Sequence, residues 1–310
     1  MNIIVSGSLA YDRIMDFPGY FSDHILPEKI HNINVSFQVE GMVERFGGTA
    51  GNIAYALRLM GEKPIISASI GRDYHQYFEW LERKGISTSR INIIQNEFTA
   101  CAYITTDKGD NQITGFNPGA MKFSTALNLE HNSPDDTIVI VSPGNLQDMI
   151  DYPRLCKARG ISYIFDPGQG LPLLQGTDIL QAIDGCRLLI CNDYELEMIV
   201  NKTGLAHNAL RKLAGTIIVT KGEKGSVVCL AEGNVDIPAA RPRKVIDPTG
   251  AGDSFRGGLL SGLMRHLSLE KSALLGAVCS SFCLEYYGTQ EYSFTTEEFE
   301  QRLKECSAKF

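Results

Sequence analysis

The chain has 310 residues, 44% hydrophobic and 21% charged, which suits one large α/β domain with an embellishment or two modest domains and excludes a disordered or fibrous protein. A formal net charge of −7 argues against a sequence-independent grip on nucleic acid or anionic lipid, which needs clustered Lys and Arg, and leaves room only for a local basic site on a phosphate ligand. MNIIVSGSLA carries no basic stretch ahead of a long apolar one, and no apolar run reaches the roughly 18 residues of a spanning helix, so the expected setting is cytoplasmic, with no membrane partner.

In chain order, strands are expected at Ile3 to Ser6, Pro64 to Ser69, Thr137 to Ser142, Ser162 to Asp166, Arg187 to Cys191 and Thr216 to Thr220. Between them, helical periodicity falls near Gly51 to Met60, Gln76 to Lys84, Leu146 to Arg159, Tyr194 to Lys202 and Gly250 to His266, and continues from about Leu269 to Tyr286. The alternation predicts a mostly parallel central sheet between helices, a three-layer α/β/α domain. Two stretches interrupt it. Residues 13–46 are irregular with extended pieces such as Asn34 to Val39, and RINIIQ, ACAYITT and NQITGF within 90–116 read as three short strands. Because long structureless loops are uncommon in compact domains, the two stretches are expected to pair as a small β lid. The expected division is therefore 1–12, 47–89 and 117–310 for the α/β domain, and 13–46 with 90–116 for a discontinuous lid. An exposed strand edge on that lid also makes a homodimer plausible.

Eight cysteines contain no C-x-x-C pair and six histidines no H-x-x-x-H pair, so the cysteines are read as small buried hydrophobes and a protein-held zinc site is not expected. The chemistry points instead to IDPTGAGDSFRGGLL at 246–260. Strand signals around Lys244 to Ile246 precede Pro248, and Phe255, Leu259, Leu260 and Leu263 follow at helical spacing, which puts Gly250, Ala251 and Gly252 at a helix N-terminus. Unpaired N–H groups and the positive end of the helix dipole meet there, and glycine lets a phosphate reach the backbone. Asp253 either faces that anion or is an ordinary first-turn acid. Neither G-x-x-x-x-G-K-[ST] nor G-x-G-x-x-G after a strand occurs, so a nucleotide would be held in another way.

DPTGAGDSFRGG, together with FGGTAGNIAYALRLMG at 46–61, resembles the two signatures of the ribokinase-like (phosphofructokinase-B type) sugar and nucleoside kinases. NDYE at 192–195 matches the family's N-x-x-E, and TKGEKG at 220–225 resembles its adenine-side loop. Within the family the chain is most similar to bacterial adenosine kinases and broad nucleoside kinases, through GSLAYDRIMDFPG, HILPEKIHNINVSF, ITGFNPGAM and FDPGQGLPL. The resemblance implies the ribokinase-like fold, ATP as donor, Mg2+, a monovalent cation such as K+ that Asp247 helps to hold, and a part in purine salvage.

It also implies roles. Asp253 orients and deprotonates the acceptor hydroxyl while the amides of Gly250, Ala251 and Gly252 stabilise the transferring group. Asn192 and Glu195, just past a strand's carboxyl end, organise magnesium and phosphates, Glu195 through water; taken singly they also read as an N-cap and a first-turn acid. Asp12 accepts from the ribose hydroxyls, Asn52 and the backbone at Gly48 contact the same sugar, and Ser8, Ser36 and Gln169 fall in matching segments. Thr220, Gly222 and Gly225 shape the ATP pocket. Phe37, Phe98 and Phe116 offer flat faces to a base or pack the lid. Ala102 stands where the narrower adenosine kinases carry a phenylalanine, which widens the expected acceptors from adenosine to inosine, guanosine and cytidine. Arg256 meets either a phosphate or a surface carboxylate. A free-sugar kinase and a non-catalytic nucleoside-binding protein are the alternatives.

Overall fold

In the computed structural model, which describes residues 2–25, 31, 34–230 and 232–308, short Ile- and Val-rich runs alternate with helices through most of the chain. The strands are β1 (Asn2–Ser6), β2 (Ala10–Asp16), β3 (Met42–Gly47), β4 (Pro64–Gly71), β5 (Ile91–Ile94), β6 (Ala100–Thr106), β7 (Gln112–Asn117), β8 (Thr137–Val141), β9 (Ser162–Phe165), β10 (Leu188–Asn192), β11 (Ile217–Thr220), β12 (Ser226–Leu230) and β13 (Gly233–Ile237). The helices are α1 (Thr49–Leu59), α2 (His75–Arg83), α3 (Leu146–Ala158), α4 (Gly176–Ile183), α5 (Asp193–Thr203), α6 (His207–Leu213), α7 (Ala251–Met264), α8 (Leu269–Cys283) and α9 (Thr296–Ser307).

Nine strands form one sheet in the order β13-β12-β11-β10-β9-β8-β1-β4-β5, parallel from β11 to β5, with β12 and β13 added antiparallel. Successive residues of its central strands feed opposite cores, as a sheet covered on both faces requires. Ile3 and Val5, Ile138 and Ile140, and Leu188 and Ile190 pack with α1, α2, α7 and α8. Ile4, Val139 and Val141, and Leu189 and Cys191 pack with α3 to α6. The glycine pair after Asp253 serves this packing. A Cβ on Gly257 would sit 2.4 Å from the Ala56 Cβ of α1, and one on Gly258 2.6 Å from the Leu275 carbonyl of α8, so the bare backbone of α7 lets both helices close in.

The second sheet has the order β3-β2-β6-β7, with β2 and β6 parallel and the outer pairs antiparallel. Its register aligns Arg45, Asp12, Ala102 and Phe116 in one row, so their side chains share a face. Here the structure corrects the expected division. RINIIQ does form a strand, β5, but it pairs parallel with β4 in the large sheet, because α2 carries the chain back as a β-α-β crossover. The small sheet starts at Ala10 and takes in Gly47, whereas residues 34–39 are extended without entering either sheet. No strand forms at 244–246, and α4, α6, α9 and the β12-β13 hairpin add to the expected elements. The segment 24–37 lies partly outside the described residues. Seven of the eight cysteines are buried, and none of the described helices is long and apolar enough to cross a membrane.

Candidate active site

The carboxyl ends of the parallel strands supply the site. After β1 the chain turns at Gly7 and Ser8, and Ser8 Oγ accepts the Thr49 amide at 3.0 Å while Thr49 Oγ1 donates to the Pro143 carbonyl at 2.6 Å. Ser8 is buried, and its hydroxyl thus holds the start of α1. Gly48 caps that helix at φ 88°, a left-handed value that favours glycine, and a Cβ there would lie 2.6 Å from the Ser8 carbonyl.

From the first turn of α1, Asn52 Nδ2 donates to Asp253 Oδ2 at 2.7 Å, across the two family-like motifs. Asp253 stands in the first turn of α7, behind Gly250 at φ 77°. Burial pushes its carboxyl up to about 6; the bond from Asn52 and the charge of Arg256 pull the other way. The Ala251 amide is 3.3 Å from the Pro248 carbonyl and closes the turn before the helix.

Around Asp253 a cavity of about 240 Å³ is lined by Thr49, Asp166, Gln169, Asn192, Glu195 and Arg256, among others. A larger cavity of about 670 Å³ adjoins it, sharing Thr220 and Gly252, and has a mostly apolar wall that includes Gly222, Gly225, Pro242, Phe255 and Leu284. Asn192 and Glu195 form a capping box on α5: Asn192 Oδ1 accepts the Glu195 amide at 2.7 Å and Glu195 Oε2 accepts the Asn192 amide at 2.8 Å. They cap the helix and still face the small cavity, where burial raises the Glu195 carboxyl above its ordinary range.

Arg256 is neither on the surface nor free. Its Nε and Nη2 donate to Asp166 at 2.9 and 2.7 Å, a buried bidentate pair. Asp166 escaped the sequence reading as a site residue although it directly follows β9, as Asn192 ends β10.

Asp12 is half-buried on the small sheet; burial and the nearby Asp247 raise its carboxyl, with Arg45 opposing. Asp247 itself accepts the Thr249 and Gly288 amides at 2.9 and 3.0 Å, which hold it below its usual range despite partial burial. The aromatics separate: Phe116 is 54% exposed beside Ala102 in the Asp12 row, Phe98 stacks on the Arg72 guanidinium, and Phe37 packs on Phe17 and Phe21. Ser36 is exposed in the extended stretch 34–39, outside both cavities.

A buried carboxylate at a glycine-led helix start, flanked by one apolar and one charged cavity at the carboxyl edge of a parallel sheet, defines a phosphotransferase of the ribokinase-like fold. A model of the pfkB family carbohydrate kinases matches residues 11–296, and the chain belongs to that family. The nucleoside kinase of Methanocaldococcus jannaschii is 34% identical over 280 residues, 89% of this chain and 91% of its own. The Burkholderia thailandensis nucleoside kinase in complex with inosine superposes with a TM-score of 0.85 at 36% identity, covering 98% of this chain and 97% of that one. The same protein in complex with ADP-inosine gives 0.84 at 37%, over 99% and 96%.

Proposed function

We propose that the protein transfers the γ-phosphoryl group of ATP to the 5′-hydroxyl of a ribonucleoside, adenosine first, with inosine, guanosine and cytidine also accepted. The observation that carries this reading is the row Asp12, Ala102, Phe116 across the small sheet. It sets a carboxylate for the ribose diol beside an open space and an exposed ring for a base, which a free-sugar kinase does not need. The names of the similar kinases support the same acceptor class.

In this reading the small sheet covers the acceptor, the 670 Å³ cavity takes the adenine and ribose of ATP, and the phosphates run past Thr220 toward Gly250 and Gly252. The amides of those two glycines face the transferring group, while that of Ala251 keeps the turn closed. Asp253 Oδ1 takes the hydroxyl proton late in an in-line displacement, with Oδ2 held by Asn52. Among the described residues no group of three or more His, Cys, Asp or Glu is placed to hold a metal, which fits Mg2+ carried on the nucleotide phosphates and water with Glu195 beyond. Such an ion supplies charge neutralisation on the phosphates. The exposed edge strands β3 and β7, with Met42, Val43 and Ile113 open to solvent, would pair two copies; sedimentation showing only monomer at high concentration opposes this.

The test is ADP release with ATP and magnesium across adenosine, inosine, guanosine, cytidine, ribose and fructose. Turnover confined to the free sugars overturns the nucleoside reading, and binding without turnover favours a non-catalytic protein.

A further inference from the structure

Behind Asn52 lies a chain of buried polar groups that substrate contact does not explain. Asn52 Oδ1 accepts from Thr289 Oγ1 at 2.7 Å and from Gln290 Nε2 at 3.0 Å. The second Nε2 hydrogen of Gln290 goes to Tyr77 Oη at 2.8 Å, and that hydroxyl donates onward to the Gly47 carbonyl at 2.6 Å. Gln290 Oε1 accepts from Trp80 Nε1 at 2.9 Å. Asn52, Tyr77, Thr289 and Gln290 are each at most 5% exposed, so water does not substitute for these partners.

An amide is reversible by rotation, and its orientation is set by its neighbours. Two neighbours of Gln290 have a fixed sense: the Tyr77 hydrogen goes to the Gly47 carbonyl, so that hydroxyl can only accept from Gln290, and Trp80 can only donate to it. An indole N–H only donates, and Trp80 is the protein's single tryptophan. Its bond obliges Gln290 to present Oε1 to it, hence Nε2 to Asn52, hence Asn52 to present Oδ1 inward and Nδ2 to Asp253. The Thr289 hydroxyl imposes nothing, since it is also 3.1 Å from the Phe46 carbonyl and can donate there while accepting from a turned Asn52.

We propose that Trp80, Tyr77 and Gln290 are positioning residues that fix the polarity of the Asn52 amide, so that Asp253 always meets a donor on Oδ2 and keeps Oδ1 for the acceptor hydroxyl. This rests on the reading of Asp253 as the base. Of the other charged or titratable groups around Asp253, Arg256 and Asp166 on one side and Cys283 of α8 on the other do not set the sense of the amide, whereas Tyr77 of α2 acts on it through Gln290.

The experiment compares the wild type with Gln290→Glu, the double variant Trp80→Phe with Tyr77→Phe, and Asp253→Asn, using ATP and adenosine, with kcat and the pH profile of kcat/KM as readouts and thermal melting as the folding control. A carboxylate at 290 accepts from Trp80 and from Asn52, turning the Asn52 oxygen onto Asp253. The acidic limb should then rise by about one pH unit, as for any carboxylate facing a new acceptor. The kcat should fall about 10-fold, a part of the ~10² to 10⁴ that a positioned base supplies, with KM for ATP unchanged. The Trp80→Phe, Tyr77→Phe double variant, which adds no charge and removes both fixed-sense partners of Gln290, should move the limb the same way by less.

Wild-type limbs and kcat in both variants, with Asp253→Asn inactive, overturn the polarity relay alone. A shift in Gln290→Glu without one in the double variant assigns the effect to the added charge and also overturns it. Full turnover by Asp253→Asn overturns the reading of the base. If Gln290→Glu or the double variant does not fold, the other decides by itself.

Discussion

Arg256 grips Asp166 through two parallel hydrogen bonds, at 2.9 and 2.7 Å, one helical turn after Asp253, and the two side chains are only 8% and 3% exposed. Arg256 Nη1 also donates to the Gly252 carbonyl at 3.2 Å, so the pair ties the turn after β9 to the glycine loop. Its charges act on Asp253 in opposite senses, the guanidinium favouring the carboxylate and Asp166 opposing it. Asp166→Asn strands a buried cation and should cost about 3 to 5 kcal/mol in denaturant unfolding. It also removes the like charge. The acidic limb of kcat/KM in the surviving folded enzyme should therefore move to lower pH, and a limb that stays in place or rises contradicts the arrangement.

Asp253 itself predicts a pH dependence with a definite sign. With the folded carboxyl at about 6 and the unfolded one near ~3.9, the native state binds more protons than the unfolded state between those values. Stability therefore declines as pH rises through that window and levels off above it. Asp253→Asn removes this slope. Its melting temperature relative to wild type should climb from pH 4 to 6 and then hold, while kcat falls roughly 10² to 10⁴ with nucleoside binding retained. Melts and calorimetric titration on the same preparation check both halves.

Local sequence carried the candidate site around Asp253 and left its supports hidden. DPTGAGD and the GG-to-Asn spacing of α1 are short-range patterns tied to helix starts, so Asp253 and Asn52 could be placed on helix ends before their 2.7 Å contact was known. Trp80, Thr289 and Gln290 come from α2 and the turn beyond α8; only tertiary packing brings them to Asn52, and nothing in YYGTQE announces it. RINIIQ shows why a strand is easier to recognise than its partner. Alternating Ile91 and Ile93 fit either sheet, and the crossover through α2 decided for the large one. Arg256 reads as an exposed helix cation because its match, Asp166, lies in a segment where glycine and proline dominate.

Asp12 and Ala102 are paired across β2 and β6, and together they predict how the acceptor is discriminated. Burial and Asp247 make the Asp12 carboxylate costly until donors reach it, and two vicinal hydroxyls would meet that need. The 2′-deoxynucleosides should thus show kcat/KM lower by about 10-fold or more, from losing a hydrogen bond to a charged group. Ala102→Phe should fill the space between Asp12 and Phe116, narrowing the range of bases without changing the ATP KM. Equal kcat/KM for ribo- and deoxynucleosides would remove Asp12 from the sugar site.

Gly48 and Gly61 share φ 88°, yet only one of them faces a crowd, and the pair separates backbone strain from site geometry. A Cβ at Gly61 meets nothing within 4 Å, whereas at Gly48 it would lie 2.6 Å from the Ser8 carbonyl and 2.7 Å from the Ala10 amide. Both alanine variants bear a positive-φ penalty of about 1 to 3 kcal/mol, and at Gly48 the ψ of 140° lies outside the left-handed helical region. Gly48→Ala must in addition push the start of α1 away from the Ser8 to Ala10 connection between β1 and β2, and the Gly48 carbonyl accepts the Asn52 amide at 2.9 Å. The displacement reaches Asp253 through Asn52. Gly61→Ala should therefore lower the melting temperature and leave kcat intact, while Gly48→Ala should lower both. Equal kcat in the two variants would mean that the turn into α1 does not set the position of the base.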